Sequence, residues 1–309
     1  FILLMLSSTF ANAQVEQPKL VVGIVVDQMR FDYINRYWND YGDDGFKRLI
    51  SEGYNCTNTH FNYIPTYTGP GHASIYTGAT PSTHGIISNY WYDRELEEYV
   101  YCVSDTDMKT VGADNESGKM SPAKMLTTTL GDELRLFSMN RSKVISIGLK
   151  DRSAVLPGGH MANFAFWLDS ETGDFVSSSY YCLRLPKWIQ RFNKKDLCEI
   201  YLSKKWELLL PSKAYDESLN DNSAYEEPFT GQKYPKFPHD LPELLKENGK
   251  GLIKATPYGN TLTKDIAIAA IEGEGLGEDI HTDLLAVSFS SPDYVGHQFG
   301  TDSKEIQDT

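Results

Sequence analysis

Three short runs of apolar, largely β-branched residues limit what this chain can fold into. Residues 20–26 read LVVGIVV, residues 143–149 read KVISIGL, and residues 283–290 read DLLAVSFS. Runs this brief and this continuously apolar predict strands covered on both faces, as in a parallel sheet. Helical patterns lie between them. Phe46, Leu49 and Ile50 share a face within residues 43–52, and Gly53 can end that helix. Leu126, Leu130 and Leu134 recur every four residues to about Phe137, with Ser121-Pro122 as the expected N-cap and first turn. Residues 262–272 also read as helix. Strands alternating with helices predict an α/β fold. Residues 155–260 depart from that rhythm, with shorter strand-like runs (FAFWL, FVSSSYY) and a polar stretch near 211–240. They are expected to form mainly an inserted subdomain over the site.

In open α/β sheets, ligands bind beyond the carboxyl ends of the strands. Each apolar run here ends at residues that can do chemistry: Asp27 after the first, Lys150 and Arg152 after the second, Asp293 and His297 after the third. Asp27 is either a strand-end cap or a metal ligand, since carboxylates suit zinc and other divalent ions. Lys150 and Arg152 stand two apart. In an extended segment their side chains would point the same way and converge on one anion. Asp151 would then point elsewhere. Asp293 and His297 stand four apart, so one helical turn would bring both to one metal.

The stretch TYTGPGHASIYTG, residues 66–78, joins a Gly/Pro turn to a small-residue run able to start a helix. A helix N-terminus offers free N–H groups and partial positive charge to a phosphate. Thr68 could be a nucleophile activated by a divalent metal, or an N-cap threonine. Thr66 competes with it for the reactive role. His72 and His84 read as structural. Asn89, in ISNYWYD, is either a turn former or an amide donor to a phosphoryl oxygen.

At 309 residues and 40% hydrophobic, the chain can bury a substantial core. A formal charge of −13 argues against nonspecific nucleic-acid binding, which needs clustered cations. Residues 1–13, FILLMLSSTFANA, carry the apolar core and A-x-A site of a secretory signal, with Gln14 as the expected mature start. No later run approaches the length of a membrane span. Secretion permits disulfides, and short loops favour Cys56–Cys102 and Cys182–Cys198.

Taken together, VVDQMRFDYI, TYTGPGHASIYTG, PSTHGIISNYWYD, GLKDR and SPDYVGHQFG resemble the alkaline phosphatase superfamily over about residues 18–309. They are similar to the secreted, phosphate-irrepressible alkaline phosphatases of Gram-negative bacteria, within the type I phosphodiesterase and nucleotide pyrophosphatase family. The resemblance implies an α/β/α sandwich with a central, mostly parallel sheet. It implies that Thr68 takes the phosphoryl group, that Asp27 and Thr68 ligate one zinc ion, and that Asp293 and His297 ligate a second. Asn89, Lys150 and Arg152 would hold the non-bridging oxygens. The expected activity is secreted or periplasmic, zinc-dependent hydrolysis of small phosphate monoesters through a phospho-threonine. The alternatives are a phosphodiesterase or nucleotide pyrophosphatase with the same metal site, and a non-catalytic secreted binding protein that keeps the fold. The family also uses an Asp-His pair and a further His beyond His297. Their absence leads us to expect a fragment: a signal remnant at 1–13, then an incomplete catalytic domain over 14–309, truncated at the C-terminus. The residues do not fix an oligomeric state, and a monomer satisfies them.

Overall fold

The computed structural model describes residues 17–309; the expected signal segment lies outside the described residues. Among the described residues eight strands form: β1 (Leu20–Val26), β2 (Tyr90–Asp93), β3 (Glu98–Tyr101), β4 (Thr110–Val111), β5 (Val144–Gly148), β6 (Phe164–Leu168), β7 (Phe175–Ser178) and β8 (Asp283–Phe289). Six make a central sheet in the order β1-β8-β5-β6-β7-β4, and β2 with β3 makes a separate antiparallel hairpin. The pairs β1/β8, β8/β5 and β5/β6 are parallel. β6/β7 and β7/β4 are antiparallel.

Alternation along β6 separates the two layers packed on the sheet. Phe166 and Leu168 join one core cluster with Leu262, Ile266 and Ala270 of the Pro257–Glu274 helix. Ala165 and Trp167 join a second cluster with Ala73 of the Thr68–Thr77 helix and Val155 of the Asp151–Gly158 helix. Neighbouring strand residues point to opposite faces, so a strand covered on both sides must be apolar throughout. The expected α/β/α sandwich with a mostly parallel sheet is what forms. The sheet also runs on through β6 and β7, which lie within the region expected to be an insertion.

Several local expectations need correction. β5 and β8 are buried almost throughout, but β1 is not. It sits at the sheet edge, and Val22 and Ile24 are 43% and 57% exposed. The helix expected from Ser121 begins instead at Leu130. Thr129 caps it, accepting from Asp132 N while the Asp132 carboxylate accepts from Thr129 N. This reciprocal box satisfies two end donors at once, which Ser121-Pro122 could not do for a helix starting nine residues later. The helix expected over 262–272 starts at Pro257, a favoured first-turn proline. Neither disulfide forms: all four cysteines are free, with Cys56 exposed and Cys102 and Cys198 buried.

Candidate active site

Parallel register puts three strand ends side by side. Val26 pairs with Phe289, and Ser288 pairs with Gly148. The residues just beyond are therefore neighbours: Asp27 after β1, Asp293 after β8 and Lys150 after β5. Asp27 continues the ladder, donating its N–H to Phe289 O at 2.9 Å. Asp293 lies in the first turn of the Ser291–Phe299 helix, with His297 one turn on. Lys150 is the extended residue before the Asp151–Gly158 helix.

These groups converge. Thr68 Oγ1 donates to Asp27 Oδ2 at 3.0 Å. Lys150 Nζ donates to the same Asp27 oxygen at 2.5 Å and lies 3.3 Å from Thr68 Oγ1. It also donates to Asp293 Oδ2. Lys150 and Asp27 are buried. Burial is the largest influence and opposes the Asp27 charge, but the Lys150 ammonium, His72 and the hydrogen bonds from Lys150 and Thr68 together hold the carboxyl below its usual pKa. Thr66 is exposed, whereas Thr68 is buried at the first position of its helix. Geometry thus separates two threonines that residue type alone could not.

Asn89 sits beside the same helix start. Its Oδ1 accepts from Gly69 N at 2.8 Å, which turns its amide nitrogen into the end available to donate. His72, read from sequence as structural, supports the site from below. Its Nδ1 meets Thr68 O at 2.8 Å and its Nε2 meets Ser288 Oγ at 2.8 Å. Burial lowers its pKa and keeps the ring neutral. His84 stands apart, bonded to Ser74 Oγ and Ile86 N.

The premise for Lys150 and Arg152 needs correction. They do not share an extended segment: Arg152 is inside the helix that Lys150 precedes. Their side chains accordingly take different partners. Lys150 reaches the carboxylates, while Arg152 Nη1 donates to Tyr101 Oη at 3.0 Å. Asp151 does not point away, since its Oδ1 accepts from the Tyr101 hydroxyl. Lys150 and Arg152 still border one cavity of about 580 Å³, with Tyr90, Trp167, Lys254 and Tyr294 among its walls. Lys150 Nζ lies 4.9 Å from the Tyr294 ring centre and Lys254 Nζ 5.9 Å from it. Tyr101 and Lys254 were missed in the sequence because nothing local marks them as neighbours of a strand end, whereas Asp151 was set aside on the extended-segment premise and Tyr294, next to Asp293, was not singled out.

The donor types suit a divalent cation: two carboxylates, a hydroxyl and an imidazole. The two carboxylates already meet on one positively charged atom, Lys150 Nζ. Their number is less complete. His297 Nε2 is 3.5 Å from Asp293 Oδ1, with its side chain 73% exposed. Among the described residues no three His, Cys, Asp or Glu side chains converge as metal ligands. Each expected metal has two donors here, where stable sites use three or four.

An α/β sheet with carboxylate, hydroxyl and cationic side chains gathered at its parallel strand ends frames the comparison with known proteins. The family described as type I phosphodiesterase / nucleotide pyrophosphatase matches residues 21–309, and the chain belongs to it, within the alkaline phosphatase superfamily. The chain is 50% identical over 295 residues to alkaline phosphatase PhoV of Synechococcus elongatus, covering 96% of this chain and 54% of that protein. It is 48% identical over 308 residues to alkaline phosphatase PafA of Elizabethkingia meningoseptica, covering 99% and 56%. A relative from Myroides odoratus, named a calcium-transporting ATPase, is 48% identical over 98% of this chain and 56% of its own. The solved structure of PafA superposes with a TM-score of 0.93, covering 95% of this chain and 57% of that one. A variant of that phosphatase, with a Thr replaced by Ser and an Asn, a Lys and an Arg replaced by Ala, matches equally well. The chain thus spans about half the length of the relatives it matches. No helix among the described residues is long and apolar enough to cross a membrane.

Proposed function

We propose that this protein is a secreted hydrolase of small phosphate monoesters, with Thr68 as its nucleophile. The constellation of Thr68, Asp27 and Lys150 at the parallel strand ends carries the reading. Thr68 Oγ1 attacks phosphorus, and the bond from phosphorus to the alcohol oxygen breaks, giving a phospho-threonine. Water then attacks the same phosphorus, releasing inorganic phosphate and restoring the threonine. The hydroxyl proton of Thr68 is held toward Asp27 Oδ2. Lys150 Nζ, 3.3 Å from Thr68 Oγ1, is within reach of an oxygen on a phosphoryl group bound there. The Asn89 amide and the Arg152 guanidinium complete the clamp, placing fixed donors where charge develops. Asp27 with Thr68, and Asp293 with His297, are the residues that would hold two zinc ions. Such ions lower the pKa of a bound hydroxyl and stabilise a leaving oxygen.

Two relatives named alkaline phosphatases at about half identity support this reading. So does the PafA variant: its replaced residues are a Thr, an Asn, a Lys and an Arg in that chain order. Thr68, Asn89, Lys150 and Arg152 have the same types in the same order.

One observation favours diester hydrolysis instead. The aromatic-walled cavity beside Arg152 could take a second ester group. Hydrolysis of a monoester against a diester by the full-length protein with zinc separates the two. Monoester preference lost in Thr68→Ala supports the proposal. Arg152→Ala should cost about 10²- to 10³-fold on the monoester, as expected for removal of one charge-stabilising donor. Diester preference, or monoester hydrolysis indifferent to Thr68, would overturn it.

A further inference from the structure

The β2–β3 hairpin lies outside the central sheet, yet both of its ends meet the candidate clamp. Asn89 immediately precedes β2, and Tyr101 ends β3. Tyr90 and Tyr101 are register partners whose ring centres are 4.7 Å apart. One further rung closes beyond them, Cys102 N donating to Asn89 O at 2.9 Å. This rung fixes the Asn89 backbone while Gly69 N fixes its side-chain oxygen.

Tyr101 reaches the other half of the clamp. Its hydroxyl donates to Asp151 Oδ1 and accepts from Arg152 Nη1 at 3.0 Å. Asp151 Oδ1 also accepts from Arg152 N at 2.6 Å, so the carboxylate grips the backbone of the residue whose side chain it helps aim. The guanidinium carbon sits 6.0 Å from the Tyr101 ring centre. Arg152 Nε is buried and has no partner among the described residues. A guanidinium tied at one nitrogen, with a second buried donor left open, is an anchored fork awaiting an acceptor.

We propose that the hairpin is the mount of the anion clamp, with Tyr101 as the positioning residue for Arg152. The inference rests on reading Arg152 as a phosphoryl clamp. The phenol's role is geometric, because it touches the arginine and not the reacting atoms. Burial, together with the nearby Asp151 carboxylate, raises its pKa above the ordinary value for tyrosine. The hydroxyl therefore keeps its proton in alkaline solution and continues to donate to Asp151.

The test is a double-mutant cycle in the full-length protein with zinc, reading kcat/KM on a phosphate monoester and inhibition by inorganic phosphate. Tyr101→Phe should lower kcat/KM about tenfold and weaken phosphate inhibition comparably, the effect of losing a hydrogen bond to a charged group. In an Arg152→Ala background the same change should cost less than about twofold. Asp151→Asn, which weakens the other end of the tyrosine bond, should behave alike and not add to Tyr101→Phe. Tyr99→Phe, exposed on the same strand, should leave both readouts unchanged. An equal loss from Tyr101→Phe with and without Arg152 would overturn the proposal, as would no loss at all. If Arg152→Ala itself costs nothing, the clamp reading falls and this proposal falls with it. If Arg152→Ala is costly while Tyr101→Phe and Asp151→Asn are silent, the positioning role alone is wrong.

Discussion

Glu305 gives a sharp test of the electrostatics of this fold. Its side chain is fully buried, and Oε1 lies 3.1 Å from His239 Nε2. His239 is enclosed by the rings of Trp206, Phe229, Phe237 and Phe299. Its Nδ1 meets Gln232 Oε1 at 3.1 Å, while the Gln232 amide nitrogen donates to Lys236 O. That arrangement makes Nδ1 the donor and leaves Nε2 as an acceptor, so Glu305 must supply the proton between them. Burial pushes the Glu305 carboxyl from 4.5 up to about 8, and burial pulls His239 from 6.5 down to about 4. For Glu305, folding takes up a proton. Its stabilisation is complete below about pH 4.5 and is lost as pH rises toward 8. For His239 the sign is opposite: stability is complete above about pH 6.5 and falls as pH drops toward 4. Between pH 6.5 and 9 the folded histidine stays neutral, and the Glu305 titration contributes a loss of about 2 kcal/mol, against a gain of about 0.4 kcal/mol as the unfolded histidine loses its proton. Glu305→Gln removes that titration, since its amide can donate to Nε2 without ionising. Urea unfolding at pH 6.5 and 9 reads the difference directly. The variant should lose about 2 kcal/mol less than the parent across that interval. Parallel stability curves for the two proteins would refute the assignment of a neutral, proton-donating Glu305.

Two other outcomes follow from the fold. Asp132→Ala should destabilise the protein by about 2–4 kcal/mol in urea unfolding, because its carboxylate caps Thr129 N and also accepts from Met161 N. A change within a few tenths of a kcal/mol would mean these buried donors find other partners. In native, unreduced protein Cys56 should react at once with a thiol reagent, Cys102 and Cys198 should react slowly, and all four should titrate after denaturation; fewer than four would reveal a disulfide.

The sequence marked the ends of the central strands well and their surroundings less well. Residue type distinguishes an apolar strand, but not what covers it. β5 and β8 are flanked by strands on both sides, so the same hydropathy that predicted burial meets it there. β1 has an equally apolar run and a neighbour on one side only, leaving Val22 and Ile24 partly exposed. The helix at Leu130 was placed too early for a related reason. Leu126 and Leu130 extend the four-residue rhythm, yet both are exposed, and the Thr129–Asp132 box decides the start. Capping outweighed periodicity there, because two end donors would otherwise go unpaired.

The site was legible where chemistry follows directly on a strand. Asp27, Lys150 and Asp293 were each found that way, and parallel register makes them neighbours. It was illegible where partners come from elements with no such marker: Tyr101 lies fifty positions from Asp151, at the end of a small hairpin. Register also supplies something no list of positions contains. Asp27 and Asp293 bring two negative charges to the ends of adjacent strands, where burial raises the cost of leaving them unpaired. Lys150 enters from the next strand and balances part of that charge, bonding to both carboxylates while staying within reach of Thr68. A lysine that could be read alone as an anion clamp is thus also the counter-ion of the acidic pair. The carboxylates that would hold a divalent cation, Asp27 and Asp293, are thus the same ones that hold the Lys150 ammonium beside Thr68.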